Sequence, residues 1–310
     1  MSNLERNLAS SDAPEKGWTD EGSREITAVT NSVSPHLRSS VPVRPRVSLR
    51  QLDAIASDLT DYDKAVVQFL ALVRLATGGQ IARRLWSSKA PSDSQAWAAR
   101  RAISRLERWR VVDRLPQRVG GARRGSSAIV YGLGPSGQRL LARMGLQPKR
   151  LGTPGDLHVA HTLAVTELVV RLHAADLGGQ LDLVEIQTEP ACWREFLSGF
   201  MAARKMLRPD LFVRIGVGAL EDRWWIEVDM ATEARSTIMT KGKRYIDYYR
   251  SGEEQSQHGI FPRTIWAVPD RRRAEEVGDP LRHLPGGAER LFVVWPYDEV
   301  IGRLAAEAAS

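Results

Sequence analysis

Four carboxylates stand where chemistry is expected. Glu167 interrupts an apolar stretch, HTLAVTELVV. Asp210 follows Pro209 at the mouth of a strand. Glu227 and Asp229 alternate with Ile226 and Val228, and alternation puts both on one face of a strand. Two carboxylates on one apolar face repel each other and need compensation. A divalent cation would supply it. Mg2+ or Mn2+ takes carboxylate oxygens and activates water for phosphodiester hydrolysis. Glu167, Asp210 and Glu227 are therefore candidate metal ligands, and Asp210, Glu227, Asp229, Lys241 and Lys243 the candidate catalytic set. Either lysine, on the helix that follows, could orient water or hold a scissile phosphate. A plainer reading is open beside this one: edge carboxylates, solvated or paired with arginines, and ordinary solvated helix lysines.

Smaller signals carry less. His158 and His161 are three apart at the start of a helix, a spacing that fits one face of a metal site. With no cysteine or third histidine near them in sequence, they read first as structural or phosphate-contact residues. Tyr245, Tyr248 and Tyr249 could include a nucleophile but read first as packing residues. Cys192, the one cysteine, lacks an evident His–acid pairing.

The elements that must position these residues alternate. A helix is expected over about 156–175, strands over 181–189 and 211–217, and a central strand, RWWIEVDM, with Trp224 and Trp225 in the core. A helix over about 233–250, a buried strand TIWAVP, a helix near 271–278, a strand LFVVWP and a final helix over 298–308 follow. This is an α/β pattern on a mixed sheet.

The first half reads differently. Residues 1–50 are rich in Ser, Pro, Arg and Asn without apolar periodicity, and read as a disordered tail. Helical spacing marks 61–75, about 80–86 and about 94–110. On the third of these helices Trp97, Ile103, Leu106 and Trp109 are expected to face the core, and Arg100, Arg101, Arg105 and Arg108 to face outward. Two short runs then flank a glycine- and arginine-rich tip carrying Arg123 and Arg124, a hairpin signal. Three helices and a basic hairpin are the order of a winged helix-turn-helix, with the third helix sized for a major groove.

Charge agrees with that order. The 310-residue chain has a net charge of +7, but 18 Lys+Arg against three acids between Lys64 and Arg150 give that segment +15, and the remainder −8. Such segregation favours a polyanionic partner. The expected architecture is α+β: a tail over 1–50, a winged helix-turn-helix over 51–148 with a linker near 145–157, and an α/β domain with a mixed sheet over 149–310. No apolar segment is long enough to span a membrane, no apolar signal region stands at the N-terminus, and a single cysteine fits a reducing cytoplasm of a bacterial cell.

The order Glu167, Pro209–Asp210, Glu227–Val228–Asp229 resembles the PD-(D/E)xK nuclease superfamily. In that pattern Asp229 stands where a lysine is expected, and Lys241 or Lys243 would take its place. A longer resemblance runs over about 60–270, through TGGQIARRLW, RRAISRLERW, HVAHTLAVTELVVRL, LRPDLFVRI, IEVDMATE and KGKRYIDYYRSG. It is similar to the replication-relaxation family of plasmid and mobile-element proteins. The resemblance implies a winged helix followed by a nuclease-like domain, as in mobilisation relaxases with restriction-endonuclease-like catalytic domains.

Two functions stay open. One is a metal-dependent, relaxase-like nickase guided by the winged helix. The other is a DNA-binding replication or transcription regulator whose nuclease fold has lost its chemistry. Double-stranded DNA is the partner in both. Other relaxosome or replication proteins are further candidates. Winged-helix proteins often pair on palindromes, so a homodimer is open, although no dedicated dimer segment is visible.

Overall fold

Capping chemistry starts three of the first four helices. Ser48 with Gln51 caps α1 (Leu49–Asp58), Thr60 with Asp63 caps α2 (Asp61–Val73), and Thr77 with Gln80 caps α3 (Gly78–Trp86). In each, the cap side chain accepts from the third helical N–H and the third side chain reaches back, satisfying two orphan donors. Strand β1 (Leu75–Thr77) separates α2 from α3; α4 (Ser92–Arg108), β2 (Val112–Gly120), β3 (Ser127–Leu133) and α5 (Pro135–Arg143) follow. The three strands form an antiparallel sheet in the order β1-β3-β2. This computed structural model describes residues 46–87, 92–120, 127–146, 156–199, 203–285 and 290–308. The expected tail up to residue 45, most of the linker, and Arg123 and Arg124 of the hairpin tip lie outside them. The boundary expected at residue 50 is corrected, since residues 49 and 50 already belong to a capped helix.

Two expectations for α4 are corrected. Ala99, Ala102, Ile103 and Leu106 fill the core, but Trp97 is 57% exposed. Arg105 does not face outward for a ligand. Its guanidinium makes bonds of 2.6 and 3.1 Å to Asp63, a fully buried carboxylate that also caps α2. A buried charge requires such a partner, and Arg105 is the cation within reach.

The second half begins with α6 (Asp156–Leu177) and β4 (Asp182–Thr188). A small hairpin follows, β5 (Arg194–Ser198) and β6 (Ala203–Leu207), in what reads in sequence as a polar stretch. Then come β7 (Leu211–Val217), β8 (Leu220–Val228), α7 (Arg235–Ser251), α8 (Glu253–His258), β9 (Arg263–Val268), α9 (Arg271–Arg282), β10 (Phe292–Pro296) and α10 (Val300–Ala308). Five strands form a mixed sheet in the order β10-β9-β8-β7-β4. Strand β9 runs parallel to both β8 and β10, while β7 is antiparallel to β8 and β4.

The strong strand β8 is buried on both faces. Trp224, Ile226 and Val228 pack with Leu168, Val169 and Leu172 of α6, and Trp225 packs with Tyr245 of α7, Val277 of α9 and Trp266 of β9. The alternation of β8 thus has two apolar sides rather than one, and Trp224 and Trp225 are both core, as expected. The core on the α6 side is continuous with that of α2, α3 and α4. Polar bonds cross the same seam: Thr166 Oγ1 donates to Leu75 O at 2.7 Å, and Gln80 Nε2 to Leu163 O at 2.9 Å. Among the described residues no helix is long and apolar enough to cross a membrane.

Candidate functional site

Asp210 is placed by the start of β7. Its backbone N–H donates to Ile226 O at 3.2 Å, and its Oδ2 accepts from the Val228 N–H at 2.7 Å, so the carboxylate laces β7 to β8. Its Oδ1 lies 3.0 Å from His161 Nε2 on α6. Asp210 is nearly buried. The hydrogen bond to Asp210 raises the His161 pKa above the ordinary histidine value, against the opposing effect of burial.

Glu227 projects from β8 toward α7. Tyr245 donates its hydroxyl to Oε1 at 2.7 Å, and Lys241 Nζ lies 2.9 Å from Oε2. Burial pushes Glu227 up to about 7, with Lys241 pulling the other way and the Asp210 charge adding to the rise. Burial disfavours the Lys241 ammonium, but Glu227, Asp210 and Glu233 more than reverse this and hold it above the usual lysine range. Lys241 also donates to Glu233 and lies 5.7 Å from the Trp266 ring centre. Three residues expected to act together, Asp210, Glu227 and Lys241, therefore share one electrostatic centre.

The other expected members stand elsewhere. Glu167 points to α3, where it accepts from Arg83 at 2.5 Å and Gln80 at 3.1 Å. His161, earlier on the same helix, takes the place at Asp210. In sequence it stands out by its spacing from His158, yet His158 does not share the contact. Asp229 lies just past the end of β8 and pairs with Arg273 of α9 at 2.7 Å. Lys243 is exposed, two residues and thus about 200° around α7 from Lys241.

The tyrosines serve packing. Tyr245 and Tyr248 are buried, bonded to Glu227 and Glu254, and Tyr249 packs edge-on against Phe261. Cys192 is buried and donates to Pro209 O at 3.0 Å, and burial pushes its thiol up.

The expected ligand set does not fit a divalent cation as it stands. Glu167 belongs to another network, and all four oxygens of Asp210 and Glu227 already meet protein partners. Among the described residues no cluster of three His, Cys, Asp or Glu side chains is set to hold a metal. The compensation that the two carboxylates require comes instead from His161, Lys241, Tyr245 and a backbone N–H.

Beside this centre lies a cavity of about 20 Å³ whose polar lining is Arg74, His161, Thr162, Thr188, Glu189 and Asp210. That volume admits one water molecule, and the polar lining offers it partners. Arg74 lies 3.4 Å from Glu189. Burial raises the Glu189 pKa and the Asp210 charge adds to it, while Arg74 opposes both. No motif in the sequence marks Arg74 or Glu189, whose roles depend on the docking of α2 against β4.

A second candidate surface is the outer face of α4. Trp97, Arg100, Arg101, Ser104 and Arg108 are arrayed along it at helical spacing, opposite the core positions. The Arg101 guanidinium lies 4.5 Å from the Trp97 ring centre.

Neither a curated protein nor a solved structure matches the chain. The profile of the replication-relaxation family matches residues 67–264, more than half of the 310 residues. The match takes in both the α4 face and the centre around Asp210, Glu227 and Lys241, and on that extent the chain belongs to the replication-relaxation family.

Proposed function

We propose that the chain binds double-stranded DNA through the outer face of α4, in the replication or relaxation of a plasmid or other mobile element. The observation that carries this reading is the outward line of Trp97, Arg100, Arg101, Ser104 and Arg108, lying on a segment with a charge balance of +15. In this reading α2, α3, α4 and the β2–β3 hairpin are a winged helix-turn-helix. Helix α4 enters the major groove, where arginine reads guanine edges or holds phosphates. The second half is a restriction-endonuclease-like domain that serves as scaffold, its carboxylates engaged by internal partners.

The test is anisotropy of a labelled duplex from the native locus, titrated with wild type and with Arg100→Ala/Arg108→Ala. The expected result is tight, salt-sensitive binding by wild type, weakened in the variant by about 2–6 kcal/mol if both arginines reach bases. Equal binding by both proteins would remove α4 from the interface.

A second reading, DNA nicking, is favoured by one observation: Lys241 Nζ stands 2.9 Å from Glu227 Oε2, in the role of the lysine that the PD-(D/E)xK pattern lacks at Asp229. Supercoiled plasmid carrying the locus, incubated with Mg2+, Mn2+ or chelator, decides it. Open circles made by wild type and not by Asp210→Ala/Glu227→Ala would establish nicking. Intact supercoils, with DNA binding retained by both proteins, would leave the scaffold reading.

A further inference from the structure

The α4 face carries more than cations. Trp97, in the second turn of α4, leaves 57% of its surface exposed, although an indole gains much by burial. The Arg101 guanidinium lies over its ring. Tyr62 of α2 and Trp86 of α3 are stacked on each other, with ring centres 4.9 Å apart and planes 11° from parallel. These three rings line an open groove of about 690 Å³, edged by Asp93, Ser94 and Gln95 at the start of α4.

We propose that this groove takes one nucleobase, unstacked from its neighbours when DNA is bound, and so gives the protein affinity for single-stranded DNA. The proposal rests on the DNA-binding reading of α4 and deepens it. Aromatic rings accept any base, because every base has a π-face. The groove opens beside Arg101, whose guanidinium lies 4.5 Å from the Trp97 ring centre, so a strand held there by its phosphates passes the mouth. Asp93 at that mouth repels phosphate and offers an acceptor to an exocyclic amino group, which selects the base over the backbone. The fit is to a flat, apolar ring with a polar edge attached to a polyanion.

The experiment measures anisotropy of a labelled single strand and of the matching duplex, with wild type, Trp97→Ala and Trp97→Phe. Trp97 is exposed, so neither substitution removes core packing, and thermal melting of each variant checks this. The expected result is about tenfold weaker single-strand binding by Trp97→Ala, substantial recovery in Trp97→Phe, and a salt slope unchanged because no charge is removed. Unchanged single-strand affinity in Trp97→Ala overturns the proposal. So does wild type that binds duplex but no single strand, which leaves the duplex reading standing. Wild type that binds neither form removes both. A concentration-dependent dimer abolished by Trp97→Ala, with both DNA affinities unchanged, assigns the groove to a second copy and also overturns the proposal.

Discussion

The imidazole of His161 lies 3.0 Å from the carboxylate of Asp210, tying α6 to the entry of β7. The Asp210 bond holds the His161 pKa above its ordinary value of 6.5. A histidine raised on folding stabilises most below the unfolded pKa, and that stability is lost as pH rises through the folded one. The unfolding free energy of wild type should therefore exceed that of His161→Asn most at pH below about 6.5 and less in alkaline buffer. Urea titrations across that range check it, and a gap independent of pH would mean that the bond adds nothing through charge.

Glu227 and Lys241 give a second pH dependence. Removing one partner of a buried pair leaves an uncompensated charge and costs about 3–5 kcal/mol. Glu227 is pushed up to about 7, so in acid it is already protonated and needs its partner less. A carboxylate raised on folding favours the fold most below its unfolded pKa, and this is lost as pH rises through the folded value. Lys241→Met should therefore destabilise strongly above about pH 7 and more weakly below it. Melting temperatures of both proteins on either side of neutrality measure the difference; an equal loss at both would contradict a titrating Glu227.

Local pattern makes much of this legible, and docking hides the rest. The strand residues Asp210 and Glu227 are readable because a proline fixes the mouth of β7 and alternation fixes the side chains of β8. Lys241 follows from its place on the next helix. On α6 the apolar residues run nearly all round, so sequence does not tell which polar side chain turns toward the sheet; packing against α3 turns Glu167 to Arg83 and leaves His161 for Asp210. Asp229 shares the alternation of Glu227, but the strand ends before it and Arg273, distant in sequence, claims it. Trp97 is the same problem on α4. Two small residues, Ala99 and Ala102, share the buried stripe there with Ile103 and Leu106, and a hydrophobicity ranking puts the indole inside in place of the alanines.

Gly137 tests how closely α5 rests on the chain leaving α4. A Cβ at this position would come within 2.2 Å of the Val111 carbonyl oxygen, a backbone atom that cannot swing aside. Gly137→Ala should cost about 1–3 kcal/mol, the usual range for overpacking, seen as a lower urea midpoint with unchanged slope. An unaltered midpoint would mean that the helix shifts freely at that point.

Arg105 separates stability from the proposed DNA contacts on one helix. Its bonds to the buried Asp63 hold the start of α2 against α4, whereas the side chains of Arg100 and Arg108 are exposed. Arg105→Ala strands a buried carboxylate and should cost about 3 kcal/mol or more, lowering the melting temperature. Arg100→Ala and Arg108→Ala should leave melting nearly unchanged, since surface substitutions away from packed features change stability little. Their effect should fall on DNA: weaker binding, and a salt slope shallower by about 1 for each phosphate that no longer meets a cation. Melting curves and salt titrations on the three variants give both quantities. A stable Arg105→Ala with a reduced salt slope would return Arg105 to the proposed DNA-binding surface and make its bond to Asp63 incidental.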